Sequence, residues 1–156
     1  MNKSLKKILT KFLPKGYFKE KLKLVYYNFT KSENVSFDVI KTEDNQIVFY
    51  TNHNNQSYYT IEALYSIVAD FDYYQHFYKV KQNDIVIDAG ANVGNISLFF
   101  SKNVGENGKV YCFEPDKFNI DLLNENFGLN KDLYFNWKIV NLLLWNENTV
   151  LEFQES

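Results

Sequence analysis

The second half of the chain alternates short apolar runs with segments in which apolar residues recur every three or four positions. Runs such as Ile85-Val86-Ile87 are typical of parallel strands that are buried on both faces. The periodic segments predict helices, and Gly128 stands where the second helix would end, at its C′ position. The predicted strands lie within residues 85–87, 110–113, 135–144 and 149–153, and the predicted helices cover 94–103 and 116–127. This alternation predicts an α/β fold, with a parallel sheet and flanking helices.

The first half of the chain has a pattern of turns and β-branched residues instead. Segments at 35–40 and 47–51 flank a polar turn and predict a β-hairpin. A polar loop is predicted at 52–57, and His53 within it is expected at the surface. An aromatic stripe over 60–79 predicts one or two helices that contribute to the core.

Residues 4–13 show helical periodicity, with several lysines outside the apolar face. The segment belongs to a basic N-terminus, because residues 1–31 carry nine lysines and one acidic residue. Two interpretations are open. The helix either rests on an anionic membrane surface as a peripheral anchor or packs on its own domain with solvated lysines.

The overall composition narrows the class of protein. Of the 156 residues, 46% are hydrophobic and 23% are charged, which is typical of a globular chain and not of a disordered one. No apolar run approaches the ~20 residues of a membrane-spanning helix, and the N-terminus lacks the pattern of a signal peptide. We therefore expect a cytoplasmic protein, either free or peripheral at the membrane surface.

The titratable residues argue against several kinds of site. With one cysteine, Cys112, and two histidines, the chain predicts no disulfide and no metal site. Every basic residue is lysine, so the chain lacks the bidentate arginine contacts that recognise phosphate or guanine. Residues 32–156 hold 18 acids and eight lysines, and this acidic body predicts no binding of nucleic acid.

The most informative stretch begins at the first strand of the α/β half. Asp88 ends the predicted strand, and Gly90 and Gly94 precede the next helix. Gly90 permits a tight turn close to a ligand, and Gly94 permits the helix start to pack against the strand. The N–H groups at the helix start are expected to face the ligand. Asp88 is placed to accept hydrogen bonds from a cationic amino group or from water.

A second acidic residue, Glu114, follows the next predicted strand. In nucleoside-binding α/β folds, an acid at this position accepts hydrogen bonds from ribose hydroxyls. Asn92 stands where the dinucleotide fingerprint has its second glycine, which disfavours a nicotinamide-dependent oxidoreductase, and no P-loop lysine follows. The pattern suits a ligand with a nucleoside and an amino acid but no phosphate, and S-adenosylmethionine is such a ligand.

Three segments together resemble the FkbM-type S-adenosylmethionine-dependent methyltransferases. They are 84–94, with Asp-Ala-Gly-Ala-Asn-Val-Gly, 108–116, with Glu-Pro-Asp after the strand, and 124–130. The resemblance covers residues 60–153. It implies a partial Rossmann-like methyltransferase fold and an O-methyltransferase whose acceptor is a hydroxyl of a sugar, glycolipid or polyketide-type product.

The resemblance also assigns residues to the cofactor. It assigns Glu114 to the ribose, Asn141 to the edge of the adenine and a third set of residues to the methionine end. The residues of that set are Asp88, Gly90, Ala91, Asn92 and Gly94. It identifies no general base in this chain, so the catalytic residues stay unassigned.

One departure from the family concerns length. Members continue into a fourth core strand and an acceptor pocket, whereas this chain ends at Ser156. The strand at 85–87 would then lack a partner on one edge, which favours self-association. We expect N-terminal helices and a hairpin over 1–80 and a truncated cofactor-binding half over 81–156. The alternative to an enzyme is a non-catalytic remnant, which binds cofactor at most or pairs with a partner through the open edge.

Overall fold

The computed structural model of the protein describes residues 15–30, 34–65, 68–130, 132, 136–147 and 149–150. The chain divides into two compact units, Met1–Asp70 and Phe71–Ser156. The elements before residue 75 are α1 (Tyr17–Thr30), β1 (Val35–Lys41), β2 (Ile47–His53), β3 (Gln56–Thr60) and α2 (Val68–Tyr74). The elements after it are β4 (Ile85–Ala89), α3 (Asn95–Val104), β5 (Lys109–Phe113), α4 (Lys117–Leu129) and β6 (Trp137–Val140).

The first unit contains an antiparallel sheet of order β1-β2-β3. The predicted hairpin is confirmed as β1 and β2. The predicted polar loop is wrong, because Asn54 and Asn55 have φ of 51° and 65° and form a two-residue turn that leads into β3. Positive φ at both central residues is the requirement of the tight hairpin turn. His53 pairs with Gln56 beside this turn and is 6% exposed, so its predicted surface position is also wrong.

Helix α1 packs on β1, in a segment to which the sequence pattern assigns no element. Leu24 is its buried residue. The side chain of Asn28 bridges the backbone of Phe37, because its Nδ2 donates to the carbonyl and its Oδ1 accepts from the N–H, both at 2.8 Å. Tyr27 stacks on Tyr65 with ring centroids 3.9 Å apart. Asn28 thus attaches the helix to β1, and Tyr27 attaches it to the segment that follows β3.

The second unit confirms the predicted α/β fold. Its sheet is parallel, with the order β4-β5-β6, which is the arrangement of one βαβαβ half of a Rossmann-like fold. Helix α3 packs on β4 and β5, where Val110 and Cys112 are fully buried, and α4 packs beside it on the same face, with Phe127 against Trp137 of β6. On the other face Ile85 and Ile87 are 74% and 62% exposed. The expectation that this strand is buried on both faces is therefore wrong, since within the described residues helices cover one face of the sheet.

Two helix predictions need correction. Helix α4 includes Gly128 and ends at Leu129, and its C-cap residue Asn130 donates its N–H to the carbonyl of Phe127 at 3.0 Å. The aromatic stripe over 60–79 forms the short helix α2, in which Phe71 is buried and stacks on Phe99. Farther along the stripe the side chains are exposed, Phe77 by 98%. The stripe is therefore only partly core.

The remaining predictions concern the two ends of the chain. The predicted helix at 4–13 lies outside the described residues. Residues 149–150 are not in a strand, and 151–153, the rest of the predicted fourth strand, also lie outside them. Within the part of the chain that the structure describes, no helix has the length and apolarity to cross a membrane.

Candidate functional site

The carboxyl edge of β4 and β5 brings together most of the predicted site residues. In the parallel register Asp88 lies opposite Cys112 and Ala89 lies opposite Phe113. Glu114, the first residue after β5, therefore lies beside the residues that follow β4. Ligands of open α/β sheets bind at this edge.

Residues 90–94, which we call the glycine loop, are fixed by their own backbone. The N–H groups of Gly90 and Ala91 both donate to the carbonyl of Phe113, with N···O distances of 2.9 Å. The N–H of Gly94 donates to the carbonyl of Ala91 at 2.9 Å. The loop is thus attached to the end of β5 at its start and closed on itself at its end.

Glu114 secures the middle of the glycine loop. Its side chain is buried, and Oε2 accepts the N–H of Asn92 at 2.8 Å. Oε1 accepts the N–H of Asp116 at 3.0 Å and the side-chain amide of Asn119 at 3.3 Å. Asn92 has a φ of 51°, and its Oδ1 accepts the N–H of Val93 at 2.7 Å. All five N–H groups of the loop therefore donate within the chain.

The two glycines of the loop have different roles. At Gly90 (φ +79°) an added Cβ would meet nothing within 4 Å, so the backbone faces open space. At Gly94 (φ +83°) an added Cβ would lie 2.7 Å from Cγ of Leu123 and 3.3 Å from the ring of Phe127. Gly94 therefore permits contact with helix α4, and the predicted reason, contact with the strand, needs this correction.

Asp88 is buried beside the loop and is hydrogen-bonded. The hydroxyl of Ser97 donates to its Oδ2 at 2.5 Å. Burial raises the pKa of Asp88, the hydrogen bond from Ser97 opposes this, and the charge of Glu114 raises the pKa further. Burial likewise raises the pKa of the Cys112 thiol to about 11, which makes this thiol a poor nucleophile.

Asn141 lies at the same edge, directly after β6. Its side-chain amide donates to the carbonyl of Glu114 at 3.1 Å and to that of Pro115 at 2.8 Å. Asn141, which the resemblance assigns to the adenine, therefore also fixes the backbone at Glu114.

Sequence reasoning missed three polar residues around the loop, namely Ser97, Asn119 and Asn126. Asn126 is fully buried, and its Nδ2 donates to the carbonyl of Val93 at 2.7 Å. Its signal in the sequence is a polar residue three positions after Leu123, on the same face of the helix as that apolar residue.

A depression of about 620 Å³ follows the edge of β4 that pairs with no strand of the described residues, and it reaches Asp88 and Ala89. Its walls are largely apolar and aromatic, and they include Tyr74, Ile87 and Phe100. No group of three or more His, Cys, Asp or Glu residues is arranged for a metal ion in the described parts of the chain.

No protein-family model matches the chain. The methyltransferase sdnD of Sordaria araneosa is 34% identical over 84 residues, covering 49% of this chain and 31% of that protein. The chain thus spans 31% of the length of this curated relative and is similar to part of a larger methyltransferase.

Two solved structures also resemble the chain in part. A SAM-dependent O-methyltransferase of Thermotoga maritima has a TM-score of 0.44 and 21% identity, over 67% of this chain and 40% of that one. Fibrillarin of Aeropyrum pernix, solved with bound S-adenosyl-L-methionine, has a TM-score of 0.40 and 17% identity, over 69% and 52% of the two chains.

Proposed function

We propose that the chain is the cofactor-binding part of an S-adenosylmethionine-dependent methyltransferase of the FkbM type. The observation that carries this proposal is the hydrogen bond from the N–H of Asn92 to Glu114. It joins the glycine loop and the acid after β5 into one site at the carboxyl edge of the sheet. The similarity to the Sordaria araneosa methyltransferase supports the same activity.

The residues at this edge fit both ends of the cofactor. The open space at Gly90 lets a ligand approach the backbone without meeting a side chain. Glu114 accepts three N–H bonds, and a carboxylate has about four acceptor positions, which leaves one for a ribose hydroxyl. Two buried acids, Asp88 and Glu114, suit a ligand that carries positive charge on its sulfonium and ammonium groups.

The bound cofactor supplies an electrophilic methyl group, so the protein needs mainly to orient the two reactants. In this proposal the glycine loop would hold the amino-acid end, Glu114 the ribose and Asn141 the edge of the adenine. The acceptor that the family resemblance implies is a hydroxyl of a sugar, glycolipid or polyketide-type product. Asp88 and Glu114 are buried and hydrogen-bonded, so we assign neither as the general base.

Calorimetric titration of the chain with S-adenosylmethionine tests this function. We expect the wild type to bind and both Asp88→Ala and Glu114→Ala to lose binding. Glu106→Ala, which changes an exposed acid before β5, should bind as the wild type does. Circular dichroism and urea unfolding establish that each variant folds. A folded wild type that does not bind contradicts the proposal, and preferential binding of NAD would favour the oxidoreductase alternative.

We propose a second role for the open edge of β4, namely pairing with another copy of the chain. The exposed side chains of Ile85 and Ile87 lie along this edge, and unpaired edge strands are templates for further pairing. Light scattering after size exclusion should detect a dimer that Ile87→Lys converts to monomer. Tyr73→Lys, at another exposed position, should leave the dimer intact. A wild type that is monomeric at micromolar concentration contradicts this role.

We also propose peripheral contact with anionic membranes through the basic N-terminal region that includes 4–13. Helix α1 supports this, because four exposed apolar residues recur along one of its faces at intervals of four, three and four. They are Phe18, Leu22, Val25 and Phe29. Lysines beside an apolar stripe suit an anionic lipid surface.

Vesicle sedimentation tests the membrane contact. The wild type should bind vesicles that contain phosphatidylglycerol at low salt, and the double variant Phe18→Ser/Phe29→Ser should not. Phe77→Ser, at an equally exposed aromatic residue, is the control. Equal binding of wild type and double variant would contradict the role of this face.

A further inference from the structure

Helix α4 contacts the glycine loop at its end, whereas Gly90 at its start faces open space. The end of the loop lies against the helix so closely that a Cβ on Gly94 would overlap Leu123. One turn later, the buried Asn126 donates its side-chain amide to the carbonyl of Val93 at 2.7 Å. This bond connects groups 33 positions apart in the sequence and attaches the second half of the loop to the helix.

The same helix contacts the other part of the site through its first turn. Asn119 donates its side-chain amide to Oε1 of Glu114 at 3.3 Å. The other oxygen of that carboxylate accepts the N–H of Asn92. Asn119 therefore acts on the acid, whereas Asn126 acts on the loop, and the two amides are seven positions apart on one helix.

We propose that Asn126 and Asn119 are positioning residues that control separate ends of the bound ligand. Asn126 sets the position of the glycine loop and thereby the affinity for the amino-acid end. Asn119 orients the carboxylate of Glu114 and thereby the affinity for the ribose. This inference rests on the proposed function, in which the loop and Glu114 hold those two ends.

The proposed role of Asn126 depends on the N–H donor of its buried side-chain amide. Its N–H donor satisfies the carbonyl of Val93, and a buried carbonyl without a donor is costly. Asn126→Asp keeps the shape of the side chain but replaces the donor by an oxygen that faces another oxygen. Asn126→Ser keeps a hydroxyl donor on a shorter side chain. The two variants therefore separate loss of the donor from loss of volume.

Two ligands distinguish the ends of the site. S-adenosylhomocysteine has both the amino-acid end and the nucleoside, whereas 5′-methylthioadenosine lacks the amino-acid end. We expect Asn126→Asp to weaken S-adenosylhomocysteine about tenfold and to change the affinity for 5′-methylthioadenosine by less than about twofold. We expect Asn119→Ala to weaken both ligands alike, by about threefold.

Calorimetric titration with both ligands, on variants whose unfolding is measured in parallel, tests this division. Asn124→Asp makes the same chemical change at an exposed position of α4, where the amide bonds within the helix at 3.0 Å, and should change neither affinity. If Asn126→Asp does not fold, Asn126→Ser is expected to show the same selectivity with a smaller loss.

An equal loss of both ligands in the Asn126 variants would overturn the inference, because it would indicate a general structural role. An unchanged affinity for S-adenosylhomocysteine would also overturn it. A folded wild type that binds neither ligand would overturn the proposed function, and this inference with it.

Discussion

The contact between the glycine loop and helix α4 predicts that Gly94→Ala destabilises the second unit strongly. The residue has a φ of +83°, which costs an L-residue about 1–2 kcal/mol. The new methyl carbon would also lie 2.7 Å from Cγ of Leu123, which is fully buried. Overpacking of this kind costs about 1–3 kcal/mol. We therefore expect the free energy of unfolding to fall by about 2–5 kcal/mol.

Gly90→Ala is the matched control for backbone strain. Its φ of +79° is nearly the same, but an added Cβ there meets nothing within 4 Å. We expect a loss of only about 1–2 kcal/mol in the free energy of unfolding. Its methyl group would project into the open space at the loop, where the cofactor is proposed to bind. The variant should therefore lose more free energy of cofactor binding than free energy of unfolding. The difference between the two variants isolates the overlap with Leu123.

Urea unfolding followed by tryptophan fluorescence measures these losses. Both tryptophans, Trp137 and Trp145, lie in the second unit, so the signal reports on the unit that contains the loop. Adding Leu123→Ala should reduce the cost of Gly94→Ala, since it removes the overlapping atom; the two changes should therefore not be additive. A Gly94→Ala variant that is as stable as Gly90→Ala, or additive with Leu123→Ala, would refute the reasoning.

Three further predictions concern individual polar side chains. Cys112 is fully buried and its pKa is raised to about 11, so iodoacetamide at pH 8 should modify it only after unfolding in urea; rapid modification of the folded chain would argue against its burial. Burial raises the pKa of Asp88 above 3.8, so the folded state favours the protonated carboxyl. The stability that this carboxyl contributes is complete below pH 3.8 and is lost as the pH rises through the native pKa. In urea unfolding from pH 4 to pH 7, the wild type should therefore lose stability relative to Asp88→Asn. Asp121→Asn, at an exposed position, serves as the control. A wild type that gains stability relative to Asp88→Asn as the pH rises would contradict this prediction. Asn28→Ala removes two hydrogen bonds to Phe37 and should destabilise the first unit by about 1–3 kcal/mol, and an unchanged thermal transition followed by tyrosine circular dichroism would contradict this.

The parts of the fold that the sequence predicted well are those that local periodicity determines. The alternation of apolar runs and helical segments after residue 83 was sufficient for the α/β sheet. The turn at Asn54-Asn55 was missed because its polar composition suits a loop and a tight hairpin equally, and the backbone conformation decides between them. The exposure of Ile85 and Ile87 was missed because burial depends on which elements cover a strand, and the strand's own sequence does not specify this.

In the candidate site, too, the sequence predicted the features that local pattern determines and missed those that depend on tertiary packing. Asp88 and Glu114 could be located because parallel strands place their carboxyl ends at one edge. The amide of Asn126 could not be assigned to the loop, because its partner is 33 positions away and meets it only when α4 packs on the loop. The hydrogen bonds of the loop N–H groups were also unpredictable from spacing, since they depend on the loop conformation and on the exact reach of the Glu114 side chain.

The closed hydrogen-bond pattern of the glycine loop has a consequence for the energetics of ligand capture. Because the N–H groups of residues 90–94 all donate within the chain, folding itself has already met the entropic cost of ordering this segment. Binding then adds little ordering there, which favours affinity through preorganisation. The amides of residues 90–94 should exchange slowly with deuterium before any ligand is added, so that the additional protection upon binding falls elsewhere at the edge of the sheet.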